Sequence, residues 1–263
     1  EKIDLNKTVD KKSYRRVMDE ASRKLGLLQR ECKAAGIPVM IVFEGMGAAG
    51  KGVQINRLIQ SLDPRGFDVY ACDRPTEDEQ MRPFLWRYWT KTPANGRIAI
   101  FDRSWYRSVQ VDRFDGLTTE DKLEGAYQDI LSFEKQLSDG GTVIIKFFLN
   151  VSKAEQKKRF MERLNDESKN WKFSSADVKE RQYWDDYMKA YSDVLTETST
   201  EIAPWYVIPA DNKWFMRYAV GQIICERMEK LDLHYPQLSK EALERLECLL
   251  SSLRASSSAS PPS

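Results

Sequence analysis

The sequence has few of the residues that build metal centres and disulfides. Its 263 residues include four cysteines and a single histidine, His234. The cysteines, which form no C-x-x-C pair and lie far apart, are Cys32, Cys72, Cys225 and Cys248. This spacing predicts buried, reduced thiols and argues against a zinc site.

The sequence also lacks a large net charge and any long apolar run. A formal charge of +1 gives no global reason to expect nucleic acid or an acidic membrane as a partner. No apolar run approaches the roughly 20 residues of a membrane span, and the charged segment 1–16 does not read as a secretory signal. Hydrophobic residues make up 41% of the chain, which is enough to bury a core. We therefore expect a folded, cytoplasmic protein.

Short apolar runs alternate with helical patterns along the chain. The apolar runs, which predict strands, are 38–44, 67–72, 97–102, 142–150 and 204–210. The helical patterns are 11–36, 51–61, 76–91, 104–113, 118–138, 152–166, 174–199 and 213–231. The strands are nearly continuous in apolar residues, as in a parallel sheet that is covered on both faces. The order predicts an α/β fold of three layers, α/β/α, with a central parallel five-stranded sheet.

The same patterns predict four segments along the chain. An N-terminal helical extension, 1–36, precedes the α/β domain, 37–235. A C-terminal helix is expected at 236–254. The segment 255–263 is rich in serine and proline and predicts a disordered tail.

A glycine-rich loop follows the first strand, in the stretch VMIVFEGMGAAGKGVQI at 39–55. It fits G-x-x-x-x-G-K between a strand and a helix, the context of a phosphate-binding P-loop, in which backbone N–H groups and the helix N-terminus hold an anion. The expected phosphate-binding residues are Gly45, Gly47, Ala48, Ala49, Gly50, Lys51 and Gly52. A chance glycine-rich turn is the alternative, and the position after the first strand argues against it. Gly52 is unusual, because Ser or Thr commonly follows the lysine.

A second motif, IAIFDRSWYRS, ends the third strand. An apolar strand that ends in aspartate is a Walker B arrangement, so Asp102 is expected to hold Mg²⁺. Arg103 and Arg107 suit the stabilisation of charge on a transferring phosphoryl group. With Lys51 these three residues form the expected catalytic set. The alternative is an aspartate that caps a helix beside an exposed arginine.

Two further segments are rich in arginine and lysine. The stretch 73–89 predicts an acceptor side, with Arg82 and Arg87 as phosphate contacts. The stretch 157–187 predicts a helical lid whose closure brings cations onto the phosphates and expels water. A solvated, charged helix is the alternative for the second stretch.

The chain resembles the polyphosphate kinase 2 family, and within it the polyphosphate:AMP phosphotransferase branch. The matching stretches, which cover about residues 5–232 in the family's order, are FEGMGAAGKG, LDPRGFDVY, PTEDE, PFLWRYW, IFDRSWY, EQKKRF, KNWKFSSAD and IAPWYVIPADNK. The resemblance implies a P-loop kinase fold with a lid. It also implies Mg²⁺-dependent transfer of phosphate between inorganic polyphosphate and a nucleotide, AMP to ADP, in a homo-oligomer. Gly52 is normal in this family.

The resemblance also assigns residues. Glu79 matches an acid near the nucleotide, where Arg82, Arg87 and Arg103 are expected as well. The cationic lid positions, which would bind the phosphates of the donor, are Arg159, Lys169, Lys172 and Arg181.

Two positions depart from the family pattern. The family has aspartate at the position of Gly47, and it has arginine at the position of Ser108, one residue after Arg107. Losing a preorganised charge costs about 10²–10³-fold in rate, so these departures predict reduced activity. The alternatives are a degenerate or non-catalytic domain that binds polyphosphate or nucleotide, and an ATP-dependent nucleoside monophosphate kinase. Gly52 and the lid motif argue against the latter.

Overall fold

The computed structural model describes residues 3–114, 119–172, 175–231, 233 and 240–257. The chain divides into two compact units, Glu1–Leu233 and His234–Ser263. None of the described helices is both long and apolar enough to cross a membrane.

The first unit contains one parallel sheet. Its strands are β1 (Val39–Glu44), β2 (Phe67–Ala71), β3 (Ile98–Asp102), β4 (Val143–Asn150) and β5 (Trp205–Pro209). They lie in the order β2-β3-β1-β4-β5, and all neighbours are parallel. Every residue of β1 is buried, as its continuous apolar run predicts. The predicted α/β fold with a five-stranded parallel sheet is confirmed.

The helices of the first unit precede, connect and follow the strands. They are α1 (Lys11–Ala35), α2 (Lys51–Ile59), α3 (Glu77–Gln80), α4 (Trp86–Trp89), α5 (Val111–Phe114), α6 (Glu120–Asp139), α7 (Lys153–Leu164), α8 (Ser175–Gln182), α9 (Trp184–Thr198) and α10 (Lys213–Glu229). Short 3-10 helices occupy Pro64–Gly66, Trp105–Val109 and Glu167–Lys172.

Three predicted helices are broken in the structure. The segment 76–91 forms α3 and α4, because Pro83 between them lacks the N–H that a continuous helix needs and restricts the residue before it. The segment 104–113 forms a 3-10 helix and then α5, and 174–199 is divided into α8 and α9. The last two breaks fall in the expected catalytic and lid segments.

The strand order places the motifs at one edge of the sheet. β1 pairs with β3 on one side and β4 on the other, and Phe43 is in register with Asp102. The carboxyl ends of parallel strands share one edge, and ligands bind where the strand order reverses. The loop after β1 and the aspartate at the end of β3 therefore meet at this switch point.

A buried polar network anchors the segment after Asp102. The Tyr106 hydroxyl donates to Glu134 on α6, and Lys146 on β4 donates to the other oxygen of this carboxylate at 2.8 Å. Lys146 also donates to the carbonyl of Thr198 at 2.9 Å. The side chains of Tyr106, Glu134 and Lys146 are all buried, so removing one of them would leave an unpaired buried charge or hydroxyl. This network fixes the start of the turn that carries Arg107.

The second unit contains α11 (Lys240–Ser257). The helix ends later than the predicted 236–254, so residues 255–257 of the predicted tail are helical. Residues 236–239 of the predicted helix and 258–263 of the predicted tail lie outside the described residues. Leu243, Leu246, Leu249 and Leu250 are exposed on it.

Candidate active site

The loop between β1 and α2 requires glycine at two positions. Gly45 has φ 139°, and a Cβ there would lie 2.7 Å from the carbonyl oxygen of Leu149. Gly50 has φ 116°, and among the described residues no side chain caps the N-terminus of α2, which follows it. Uncapped N–H groups at a helix start are available to an anion. The loop therefore has the backbone of a phosphate cradle.

Lys51 begins α2 and turns back toward the loop. Its ammonium donates to the carbonyl of Gly45 at 2.7 Å, and the side chain is buried. Burial lowers the pKa of Lys51, and Arg103 acts in the same direction, while the carboxylates of Asp102, Glu44 and Glu180 oppose them. One lysine and one arginine therefore face three carboxylates around the loop.

Asp102 and Gly52 face each other across the site. A Cβ added at Gly52 would lie 3.9 Å from Oδ2 of Asp102, so the glycine leaves space beside this carboxylate. Mg²⁺ is usually held by one or two carboxylates together with phosphate oxygens and water. Within the described ranges no group of three or more His, Cys, Asp or Glu side chains could hold a metal ion. The Asp102 carboxylate beside a phosphate loop fits an ion whose other ligands are phosphate and water.

Two residues at the site have strained backbones. Among the described non-glycine residues, only Ala48 (φ 62°) and Arg103 (φ 63°) have positive φ. Such conformations cost on the order of 1–3 kcal/mol each and are concentrated at functional sites. The N–H of Arg103 donates to the carbonyl of Phe43 at 3.0 Å, which ties the end of β3 to β1.

Two side chains from outside the loop hold Gly47, and the sequence did not reveal either contact. Gln156 of α7 donates to the Gly47 carbonyl at 3.0 Å. Glu180 of α8 accepts from the Gly47 N–H at 3.3 Å, and its other oxygen lies 3.5 Å from Nη2 of Arg103. The only available signal was that both residues belong to stretches rich in charge.

The structure gives Arg159 a different position from the predicted phosphate contact. Its guanidinium donates to Ala48 O, Ala49 O, Ala210 O, Asp211 O and Glu155 Oε1. Arginine has five N–H donors, and these five acceptors occupy them. Arg159 therefore braces the carbonyl side of the loop against the end of β5, instead of presenting a cation to the phosphate side.

Two other cationic positions of the expected lid, Arg181 and Lys169, contact groups outside the loop. Nη1 of Arg181 donates to the carbonyl of Lys153 at 2.7 Å and to Oε1 of Gln156 at 3.0 Å. Lys169 is exposed and pairs with Asp166, three residues before it. The side chain of Lys172 lies outside the described residues. Donor binding by these lid residues stays a prediction.

Glu44, the last residue of β1, is a buried acid beneath the loop. Its Oε1 accepts from the hydroxyl of Ser104 at 2.8 Å. Burial raises the pKa of Glu44 to about 7, although Ser104, Lys51 and Arg103 act in the opposite direction. The site thus contains an acid that changes charge near neutral pH.

A cavity of about 580 Å³ opens beside the turn after β3. Its lining, in which most residues are polar or charged, consists of Pro75, Glu79, Gln80, Arg82, Phe84, Arg87, Tyr88, Ser108, Asp112, Lys122, Gly125, Ala126 and Asp129. The Tyr88 hydroxyl donates to the carbonyl of Ser104 at 2.9 Å, which connects the cavity wall to the segment after Asp102. The structure thus brings three predicted nucleotide contacts, Glu79, Arg82 and Arg87, to one pocket.

Local contacts orient these three side chains. Glu79 and Thr76 form a reciprocal capping box at the start of α3. The second oxygen of Glu79 lies 3.2 Å from Nε of Arg87. The guanidinium of Arg82 lies 4.3 Å from the ring centre of Trp86. Glu79 therefore orients an arginine of the pocket, a contact that its sequence position alone did not predict.

Arg107 lies behind this pocket. It is buried, and its Nε lies 2.8 Å from Oδ1 of Asp112, a residue of the cavity wall. Ser108 of the same turn also lines the cavity. The predicted catalytic role of Arg107 stays a prediction.

The chain is similar to proteins of one family. The sequence model of polyphosphate kinase 2 matches residues 8–236. An ADP-polyphosphate phosphotransferase of Rhodopseudomonas palustris is 40% identical, over 95% of each chain. A polyphosphate:AMP phosphotransferase of Pseudomonas syringae pv. tomato is 39% identical over 87% of this chain and 46% of its own, longer chain. The crystal structure of polyphosphate kinase 2 from Arthrobacter aurescens TC1 has a TM-score of 0.90 and 37% identity, over 95% of this chain and 91% of that one.

Proposed function

The chain belongs to the polyphosphate kinase 2 family, and from that premise we propose that it is an enzyme that transfers a phosphoryl group between inorganic polyphosphate and a nucleotide. One observation carries the proposal. A glycine loop with an uncapped helix start, Lys51 and Asp102 meet at the switch point of the sheet, beside a cavity lined by arginines. Phosphoryl transfer depends on such positioning and on electrostatic stabilisation.

The residues of the site have different roles in phosphate transfer. The loop amides bind the phosphates of the donor, and the Lys51 ammonium, held within the loop by the Gly45 carbonyl, pairs with them through its remaining donors. Arg103, whose guanidinium faces the loop, stabilises negative charge on the transferring group. Asp102 would hold Mg²⁺, which when bound neutralises phosphate charge. The hydrogen bonds from Arg159 to the carbonyls of Ala48 and Ala49 hold the loop in the conformation in which its amides bind phosphate.

For the acceptor we propose AMP, bound in the arginine-lined cavity. Arg82 and Arg87 offer cations to its phosphate, and a volume of about 580 Å³ suits a small ligand. A second candidate is ADP, because a relative that matches this chain over 95% of its length is named an ADP-polyphosphate phosphotransferase. Homo-oligomerisation and a cytoplasmic location stay predictions.

The test is phosphate transfer from long-chain polyphosphate to AMP, ADP, GMP and GDP, with Mg²⁺ and with excess chelator. We expect AMP to be converted to ADP, with loss of activity on chelation. Transfer only to diphosphates would favour the second candidate. Binding without any transfer would identify a non-catalytic domain, and transfer only from ATP would identify a conventional monophosphate kinase.

A further inference from the structure

The Glu180 carboxylate lies where an anion is expected to bind. Oε2 accepts from the Gly47 N–H at 3.3 Å, and Oε1 lies 3.5 Å from Nη2 of Arg103. The Glu180 side chain is only 11% exposed. A loop amide and an arginine are the donors that phosphate oxygens take in such a site.

We infer that Glu180 is an internal competitor of the phosphoryl donor, and that polyphosphate binds at Gly47 only by displacing this carboxylate. The inference rests on the proposed function of the loop. The Gly47 amide has one proton, so one anion at a time can accept it. A phosphate and a carboxylate at the same place would also repel each other. Glu180 is therefore a residue that sets the affinity for the donor.

The surrounding contacts hold Glu180 in this position. The next residue, Arg181, donates to Gln156 and to the carbonyl of Lys153, which fixes α8 to α7. Gln156 in turn holds the Gly47 carbonyl. The carbonyl of Gly47 thus bonds to α7, and its N–H bonds to α8. Gly47 therefore couples the loop to α8.

Residue 47 is glycine, so no side chain stands beside the amide that Glu180 contacts. An aspartate at this position would place a second carboxylate beside the first. The carboxylate that residue 47 lacks is thus supplied by Glu180 of α8, which contacts the amide of Gly47.

The test compares two variants with the same change of charge. Glu180→Gln keeps the shape of the side chain and removes its charge. Glu167→Gln, at an exposed residue before α8, serves as the control for net charge. Binding of tripolyphosphate is measured by calorimetry without nucleotide, so that the result does not depend on turnover.

We expect Glu180→Gln to bind tripolyphosphate about tenfold more tightly than the parent chain, because a charged partner of the loop no longer has to be displaced. Glu167→Gln should stay within about twofold of the parent, since an exposed charge is well screened. In turnover assays the gain should occur in KM for polyphosphate. Glu180→Asp, which keeps the charge on a shorter side chain, should bind with intermediate affinity.

Equal or weaker binding by Glu180→Gln would overturn the inference alone, provided that the parent chain binds tripolyphosphate. If neither chain binds it, both the inference and the proposed function are wrong. Tighter binding by Glu180→Gln without any transfer to nucleotides would support the inference and contradict the proposed activity. If Glu180→Gln does not fold, the decision rests on Glu180→Asp, whose failure to bind more tightly would also overturn the inference.

Discussion

The Lys51 ammonium lies 2.7 Å from the carbonyl oxygen of Gly45, the first residue of the loop. The contact satisfies a buried cation without any ligand. It also holds the ammonium within the loop, so that a phosphate entering the cradle meets a charge that is already in place. The cost of ordering the long lysine side chain is thus borne in folding, which is the preorganisation that electrostatic catalysis requires.

Replacing Lys51 by alanine should therefore remove most transfer activity while the fold persists. We expect a loss of about 10²–10³-fold in kcat, the size of effect seen when one preorganised charge partner is deleted. Initial rates with polyphosphate and AMP, together with circular dichroism, provide the measurement. Lys157→Ala, at an exposed lysine of α7, is the matched control and should keep its activity. Unchanged turnover in folded Lys51→Ala would show that another cation serves the phosphate.

The strands and the loop could be predicted because a local sequence pattern determines each of them. The strands were predictable because their apolar runs are nearly continuous, and the loop because Gly45 and Gly50 adopt backbone angles that favour glycine. The break at Pro83 was visible in the sequence but was overridden by the helical pattern around it. The local signal at Arg159 was misleading, because the sequence predicted a cationic lid residue that binds the donor, and no local signal predicted a role for Glu180. Their contacts with the loop depend on how α7 and α8 pack, which spacing along the chain does not encode.

Binding of the donor should weaken steeply with salt. Lys51 and Arg103 face the loop, and each phosphate charge that a cation neutralises releases counterions. By analogy with nucleic acids, log K should fall by roughly 0.9 per neutralised phosphate for each unit of log salt. With these two cations alone we expect a slope near −2, and a steeper slope if the lid lysines take part. Titrations of long-chain polyphosphate between low and moderate salt give the slope, with ATP as the weaker comparison ligand. A flat response, or tighter binding of ATP, would contradict the proposed donor.

Arg159→Lys should lower stability rather than act on phosphate binding alone. One ammonium offers three donors and cannot replace a guanidinium that bonds to both the loop and the end of β5. We expect a loss of at least about 1.5 kcal/mol in the free energy of unfolding, the value of one hydrogen bond to a charged group. For a chain of this size that corresponds to a decrease of roughly 3–6 °C in Tm. Thermal unfolding without ligand is the measurement. If Arg159→Lys keeps full stability but binds the donor more weakly, Arg159 contacts phosphate as the sequence predicted.

Glu44 should make stability depend on pH near neutrality. Burial raises its pKa from 4.5 to about 7, so between these values the folded chain keeps a proton that the unfolded chain has lost. The folded state then binds more protons, and this contribution to stability falls as the pH rises, by at most about 1.4 kcal/mol per pH unit, and is constant above pH 7. Glu44→Gln removes the titrating group. The stability of the variant relative to the parent should increase between pH 5 and 7 and then level off, in urea unfolding without Mg²⁺. Parallel profiles for the two chains would show that Glu44 does not hold its proton in the fold.

Replacing Gly47 by aspartate should raise the rate of transfer. Gly47 is not among the residues with positive φ, in contrast to Gly45 and Gly50, so the backbone accepts a side chain at this position without left-handed strain. A carboxylate there would join Asp102 as a second charged group around the phosphates, and Mg²⁺ is commonly held by one or two carboxylates. Charge develops on the transferring group in the transition state, so the gain should occur in kcat more than in KM. We expect an increase of at least about tenfold, equivalent to about 1.4 kcal/mol of barrier.

Because Glu180 lies against the same amide, the gain should be larger in a Glu180→Gln background, where the two carboxylates no longer repel each other. Gly47→Asn, which has the same shape without the charge, is the control and should give no increase. An equal increase for Asn and Asp would mean that packing limits the rate, and no increase in either background would show that residue 47 is not the missing carboxylate.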